Sequence, residues 1–379
     1  MAANQNSSSC LNEDLAADAS LTVDLDLDAL SHNVRVIQDL IGSERHLIAA
    51  VKANAYGHGC VPVAQCLESL GVHSLATGSL AEALAIRAVG VRLPILLFAS
   101  SVPTQLPKLT AAGFVPTVTS LEAAQLLSAA AVQEVPIYIK VDAGLGRLGI
   151  PMADALEIVT RIHALPHLRL DGLYTHTPFA DEMGRDWASA KLRDFNTLVA
   201  DLRECGVEFA VTQAAASSCV LAGLADRCNA VCVGHALYGL SPYARDEPRG
   251  AQLRPVFKAL KTRLIQVVHH GQGADIGIAK LYGIESAKTI GVLAVGLGNG
   301  LTRPAVGSNA TVIVNGMHAR LLAVSLEHAT IELANGTPAT VGDEVVLIGE
   351  QAGQHIDLDT YARWRNASPL EALMQLSNA

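Results

Sequence analysis

The chain has 379 residues, of which half are hydrophobic and 17% charged, with a formal net charge of −9. That composition supports a large core and excludes a disordered chain, and an acidic balance without any Lys/Arg run excludes a nucleic-acid or anionic-membrane binder. Seven cysteines at irregular spacing give no disulfide framework and fit a reducing compartment.

In chain order, residues 1–20 come first. They read "MAANQNSSSCLNEDLAADAS", polar and acidic, with neither a basic start nor an apolar h-region. They predict a disordered tail rather than a secretory signal. No apolar run approaches the roughly 18 residues of a membrane helix, so the expected location is the cytoplasm.

From residue 21 to 250, short apolar runs rich in β-branched residues recur. They are "LIAAVK" from Leu47, "SLATG" from Ser74, "PILLFA" from Pro94, "VPTVT" from Val115, "PIYIKVD" from Pro136, "DGLYTH" from Asp171, "FAVTQA" from Phe209 and "AVCVG" from Ala230. Between them lie Ala/Leu/Glu-rich segments with helical spacing, such as "LAEALAIRAVG" and "SLEAAQLLSAA". Strands alternating with helices in this number predict a (β/α)8 barrel of the TIM type. The alternative is an open doubly wound sheet, but no early strand leads into a GxGxxG turn. From residue 251 to 379 the texture changes. "TRLIQVV", "TIGVLAVG", "TVIVNG", "RLLAVS", "ATIEL" and "DEVVLIG" are strands without helices between them, followed by a short helical tail, "SPLEALMQL". This predicts a mostly-β second domain.

On a barrel the chemistry gathers at the C-terminal ends of the strands. Lys52 ends the first strand, at a cost if its charge is buried. The sequence around it, "KANAYGHG", has two glycines and a histidine that mark a tight turn with the backbone near something. Asp142 and the loop carrying Arg147 follow the fifth strand, His176 ends the sixth, Ser217 and Ser218 follow the seventh, and Gly234 follows the eighth. Taken singly each has a bland reading: a snorkelling lysine, a salt-bridged arginine, a core histidine. Together they place an amine beside the loops that commonly cradle phosphate in such barrels. A reactive lysine and a phosphate cradle without a nucleotide motif point to pyridoxal phosphate (PLP) held as a Schiff base. A sugar-phosphate aldolase lysine is the competing reading. Cys228, Cys232 and His235 lack a fourth ligand nearby, so they read as packed side chains and no metal is expected.

Three stretches carry a family resemblance. "AVKANAYGHG" resembles the cofactor-lysine signature of the alanine racemase family, PLP enzymes of fold type III. "KVDAGLGRLG" and "GLYTHTPFADE" are similar to two further signatures of that family, and order and spacing agree from about Leu21 to the tail. The resemblance implies a homodimer in which each β domain completes its partner's active site. It implies that Lys52 carries PLP and moves protons, that Tyr56, Ser217 and the Gly234 backbone hold the phosphate, and that His176 lies near the cofactor ring. Arg147 orients the carboxylate or phenolic side of the site, braced by Lys140, which matches a lysine that is often carbamylated.

Several positions depart from the pattern. Cys232 stands where the family has an arginine facing the pyridine nitrogen, and Ile278 where it has its second catalytic base, a tyrosine. Leu297 and Asn299 alter an entrance motif, Leu326 replaces a methionine, and no phosphate-binding tyrosine precedes Ala379. Tyr282 is the candidate replacement base. It has the right strand parity, but four residues of strand span about 13 Å, and proton transfer needs roughly 3 Å. His235 is a candidate proton donor whose direction the sequence does not fix. The implied function is PLP-dependent racemisation at Cα of a small or medium amino acid. The alternative is a one-base PLP lyase or aldolase acting on a β-hydroxy amino acid, because Ile278 has no titratable proton.

Overall fold

The computed structural model describes residues 21–99, 101–243, 250–272, 287–334 and 336–376. The expected tail at residues 1–20 lies outside them, as do Ile278 and Tyr282. The chain divides into two compact units, one of residues 26–256 and one that joins 257–379 to the N-terminal segment ending at Leu25.

The first unit is the parallel barrel. Its strands are β2 (His46–Ala50), β3 (Ser74–Thr77), β4 (Ile95–Leu97), β5 (Val115–Val118), β6 (Val135–Asp142), β8 (Leu168–Thr177), β9 (Val211–Ala215) and β10 (Ala230–Val233), with a short β7 (Ile150–Pro151) on the flank of β6. Each pairs in parallel with the next, and β10 returns to β2 to close the ring. The strands are buried almost throughout, which is why they read as continuous apolar runs rather than alternating ones. Tyr138 and Tyr174 fill the interior with Ile48, Leu96 and Val211, and Phe98 and Cys232 pack against them. Gly172 makes room there, because a Cβ on it would come within 2.5 Å of the Tyr138 ring.

The helices follow from caps and stripes. Asp26 caps the helix Leu27–Ile41 by accepting the Ala29 N–H, and Gly42 ends it at φ 77°. Its buried face is Ala29, Leu30, Asn33, Val34 and Ile37, spaced for one side of a helix. Asn33 is fully buried and clamps the segment after β10. Its amide donates to the carbonyls of Leu237 and Arg254, and its oxygen accepts the Arg254 N–H at 2.7 Å.

The second unit is an antiparallel sheet of β1 (Leu21–Leu25), β11 (Phe257–His270), β12 (Lys288–Leu293), β13 (Thr311–Val314), β14 (Met317–Val324), β15 (Ala329–Leu333), β16 (Glu344–Gln351) and β17 (Gln354–Ile356). The pairing of β11 with β16 closes six of these strands into a ring. Two helices, Leu358–Arg363 and Pro369–Leu376, end the described chain. Residues 21–25 were expected in the barrel. They instead pair antiparallel with β11, Val23 opposite Leu260, so the barrel unit begins at Asp26. A lone strand is satisfied only by its partner's edge, and that partner is far away in sequence. No helix among the described residues is long and apolar enough to cross a membrane.

Candidate active site at the strand ends of the barrel

Lys52 leaves β2 at the start of a left-handed turn. Ala53, Asn54, Ala55 and Tyr56 have φ of 53°, 51°, 53° and 55°. Such a conformation costs an L residue about 1–2 kcal/mol, so four in succession persist only where the surroundings fix them. Glu82 accepts the Asn54 N–H at 2.7 Å on one carboxylate oxygen and the Thr77 hydroxyl on the other. Asn54 Oδ1 accepts the Cys60 N–H at 2.8 Å. The Nδ1 of buried His58 faces the carbonyls of Ala55 and Tyr56, each at 3.0 Å, so this nitrogen carries the proton. Tyr238 stacks against Tyr56 and His58 at centroid distances of 5.1 and 4.7 Å, and its hydroxyl donates to the Ala50 carbonyl. The turn brings Tyr56 back beside Lys52, whose Nζ lies 5.8 Å from the ring centroids of both Tyr56 and Phe98.

A cavity of about 730 Å³ opens at these strand ends. Lys52, Tyr56, Lys140, Arg147, His176, Ser217, Cys232, Gly234 and His235 all line it. The site residues expected on the barrel are therefore brought to one place, except Asp142, which does not line the cavity. His235, whose direction the sequence left open, faces the cavity with its ring edge on Tyr56, 5.2 Å between centroids. Tyr282, expected as a catalytic group, lies outside the described residues.

Arg147 is held by its loop. Asp142, at the end of β6, accepts the backbone N–H groups of Gly144, Leu145, Gly146 and Arg147 at 2.7–3.1 Å. Burial pushes its carboxyl up, but those four donors outweigh it and hold the group below the usual range. Gly149 closes the loop at φ 120°, where a Cβ would meet the Asp142 nitrogen at 2.8 Å.

The cavity is rich in positive charge. Lys140 is buried with its Nζ over the Tyr174 ring at 5.5 Å. Burial, then nearby Arg147, brings its amine down to about 8. Burial also lowers the Lys52 amine, and Arg147 adds to the shift. The carboxylates of Glu82 and Asp142 direct their oxygens to Asn54, Thr77 and the Arg147 loop instead. His176 is pushed down to about 3 by burial and by Lys52, so its ring is neutral. Burial drives the Cys232 thiol up to about 12 despite both lysines, and its open surface faces the cavity.

The same cavity has an oxygen-binding corner. The N–H groups of Gly234 and Ala236 converge on Ser217 Oγ at 3.2 and 3.3 Å. Tyr56 Oη presses on Gly234 so closely that a Cβ there would overlap it. The sequence missed three contributors. Glu82 and Tyr238 brace the turn from remote parts of the chain, and Phe98 walls the amine. No local pattern marks any of them.

In the second unit, the Leu297 and Gly298 N–H groups donate to the carbonyls of Ser325 and Leu326, both at 2.8 Å. The altered entrance motif and Leu326 are therefore neighbours.

The barrel matches the family model "Alanine racemase, N-terminal domain" over residues 25–242, and the second unit matches "Alanine racemase, C-terminal domain" over 257–379. The chain is 32% identical to the alanine racemase of Desulfosudis oleivorans over 95% of each sequence. It is 30% identical to that of Desulforamulus reducens, over 90% of this chain and 92% of the relative. Among solved structures, the alanine racemase of Bacillus anthracis with bound L-Ala-P is similar at a TM-score of 0.84 and 28% identity, covering 94% of this chain and 92% of that one. The Clostridium difficile 630 alanine racemase is similar at a TM-score of 0.86 and 25% identity, covering 94% and 93%. These relatives are named racemases and give the lyase alternative no support. With both family domains matched end to end and the lysine signature seated in the barrel cavity, this chain belongs to the alanine racemase family.

Proposed function

We propose that this chain is a PLP-dependent racemase acting at Cα of a small amino acid such as alanine. The observation that carries the reading is the Lys52 amine, lowered from its ordinary value by burial, lining one cavity with Tyr56, Ser217 and Gly234. A phosphorylated aldehyde fits this donor set. Lys52 offers a primary amine for its carbonyl, the Ser217 hydroxyl, which accepts the Gly234 and Ala236 N–H groups, keeps its own proton for a phosphate oxygen, and Tyr56 Oη beside Gly234 is a second hydroxyl donor. When bound, PLP supplies an electron sink that acidifies the Cα–H of an amino acid joined to it.

The chain's own residues divide the remaining work. Lys52 Nζ takes or returns the Cα proton on its own face, and its lowered pKa leaves more of the amine unprotonated than in an ordinary lysine. Tyr56, Ser217 and Gly234 hold the phosphate. Arg147, fixed by Asp142, binds a carboxylate oxygen of the substrate. Cys232, protonated, would offer a bound ring a weak donor without fixed charge, and neutral His176 would pack near that ring. Lys140, crowded by Arg147, suits carbamylation, which turns a second cation into an anion beside the guanidinium. Tyr282 is the proposed group for the opposite face.

We further propose a cytoplasmic homodimer with shared sites. Leu326 is 73% exposed beside the Leu297 turn, an apolar side chain suited to cover by a second copy. The test of function is incubation of the PLP-loaded protein with single amino acids in deuterated water. Loss of optical purity with deuterium at Cα supports a racemase. Release of an aldehyde without inversion overturns it.

A further inference from the structure

His235 has no counterpart role in the reading above. It lies on the same turn as the two converging donors, between Gly234 and Ala236, whose N–H groups point at Ser217 Oγ. Its imidazole lines the cavity and meets the edge of Tyr56, the same ring whose hydroxyl presses on Gly234. Among the described residues, the imidazole nitrogens make no hydrogen bond. Around it stand Lys52 and Tyr56 from the turn after β2, His176 from the end of β8, and Cys232 from its own strand.

A half-buried imidazole that lines the cavity has its nitrogens open to a ligand there. An anion in the corner is such a ligand. Either neutral tautomer carries one N–H donor, and the imidazolium carries two. The Gly234 and Ala236 N–H groups already point at Ser217 Oγ, so the oxygens of a phosphate group need other donors. A side-chain donor on the same turn reaches another oxygen without any change of fold.

We infer that His235 is a phosphate ligand of the cofactor, its imidazole N–H donating to an oxygen beside the Ser217 and Tyr56 hydroxyls. The ligand class is the monophosphate ester of the bound aldehyde rather than the substrate carboxylate. This rests on the PLP reading, and the test separates the two.

The test measures binding of PLP and of pyridoxal, which lacks the phosphate, to wild type, His235→Leu and His235→Gln. Attachment to Lys52 is read by absorbance and by borohydride trapping. Wild type is expected to hold PLP far more tightly than pyridoxal. His235→Leu should weaken PLP about tenfold or more, the scale of a lost charge-assisted hydrogen bond, with pyridoxal changed less than about threefold. His235→Gln, which keeps a donor, should recover part of the loss, and the far-ultraviolet spectrum should stay that of wild type. A wild type that favours PLP while His235→Leu keeps that preference overturns the inference and leaves the cofactor reading standing. So does an equal loss for both ligands. A wild type that takes PLP no better than pyridoxal overturns the phosphate corner, and this inference with it.

Discussion

Tyr56 Oη and Gly234 are in such close contact that no side chain larger than hydrogen fits between them. The contact joins two ends of the barrel sequence, the turn after β2 and the turn after β10. It places the phenol and the converging N–H groups on one corner of the cavity. Tyr56 is held there by burial, which also raises its hydroxyl above the ordinary tyrosine range and keeps it a donor.

Gly234→Ala is therefore expected to force Tyr56 outward and cost about 1–3 kcal/mol of stability, the scale of overpacking. Removing the clash from the other side should relieve it. In the pair Gly234→Ala with Tyr56→Ala, urea midpoints should show a combined cost smaller than the sum of the two single costs. Additive costs would mean that the two residues do not share this space.

The pH dependence of stability without cofactor has a definite sign. Lys140 falls from 10.5 to about 8 on folding. Between those values the unfolded chain binds more protons than the folded one, so stability rises with pH from about 8 to 10.5. His58 and His176 fall from 6.5 to about 4 and about 3, both chiefly through burial. The same argument makes their contribution complete above 6.5 and lost as pH drops toward those folded values. Lys140→Met should be more stable than wild type at pH 7, with the gap closing as pH rises through the alkaline window. A gap that widens there would contradict the burial of a charged Lys140.

Much of this was legible in the sequence, for physical reasons that can be located. The eight barrel strands announce themselves because both faces are buried, so "LIAAVK" and "VTQAA" need no alternation. Lys52, Arg147, His176, Ser217 and Gly234 were legible because strand ends of one barrel converge. The turn after Lys52 was legible as a turn but not in its handedness. Left-handed backbone is ordinarily read from glycine, and here Ala53 to Tyr56 adopt it under restraint from Glu82 and His58. Tyr238 reaches Ala50 across 188 residues, and the pairing of Leu21–Leu25 with β11 spans a still longer stretch, Leu21 lying opposite Thr262. Contacts of that range leave no local period to read.

Asn33 offers a prediction far from the chemistry. It satisfies three backbone groups of the segment after β10 from inside the helix Leu27–Ile41. Asn33→Ala leaves them unpaired, the Leu237 carbonyl in a buried site and the two Arg254 groups partly buried, at an expected cost of about 1–3 kcal/mol. Asn33→Asp keeps the acceptor for Arg254 N–H but turns a charge toward two carbonyls, and should be no better. Thermal unfolding checks both. A loss below about 0.5 kcal/mol, the scale of a neutral surface change, would show that water replaces the clamp.

Asp142→Ala should act on Arg147 alone. Four N–H groups lose their shared acceptor, so the loop from Gly144 to Arg147 loosens while Lys52 and the Ser217 corner stay as they are. The expected result is unchanged PLP binding with a raised KM and lowered kcat for the amino acid, about tenfold or more in kcat/KM. Loss of PLP binding instead would place Arg147 on the cofactor rather than on the substrate.

The last prediction concerns Cys232 and Ile278. Cys232 sits within the field of Lys52 and Lys140 and stays protonated, so it brings no charge to the ring nitrogen. Cys232→Arg adds a guanidinium to a cavity already holding Lys52, Lys140 and Arg147. Alone and without bicarbonate it is expected to destabilise the protein and lower the Lys140 amine further. Bicarbonate should restore stability if Lys140 then carries a carbamate, seen as the mass of one added carbon dioxide. Ile278, which stands at the sequence position of the family's second base, has no titratable proton, so alanine racemisation by the natural chain is expected to be slow. Ile278→Tyr should raise it, and more so in the Cys232→Arg background, because both changes act on one carbanion and need not add. Fast racemisation by wild type that survives Tyr282→Phe would show that a different group supplies the second proton.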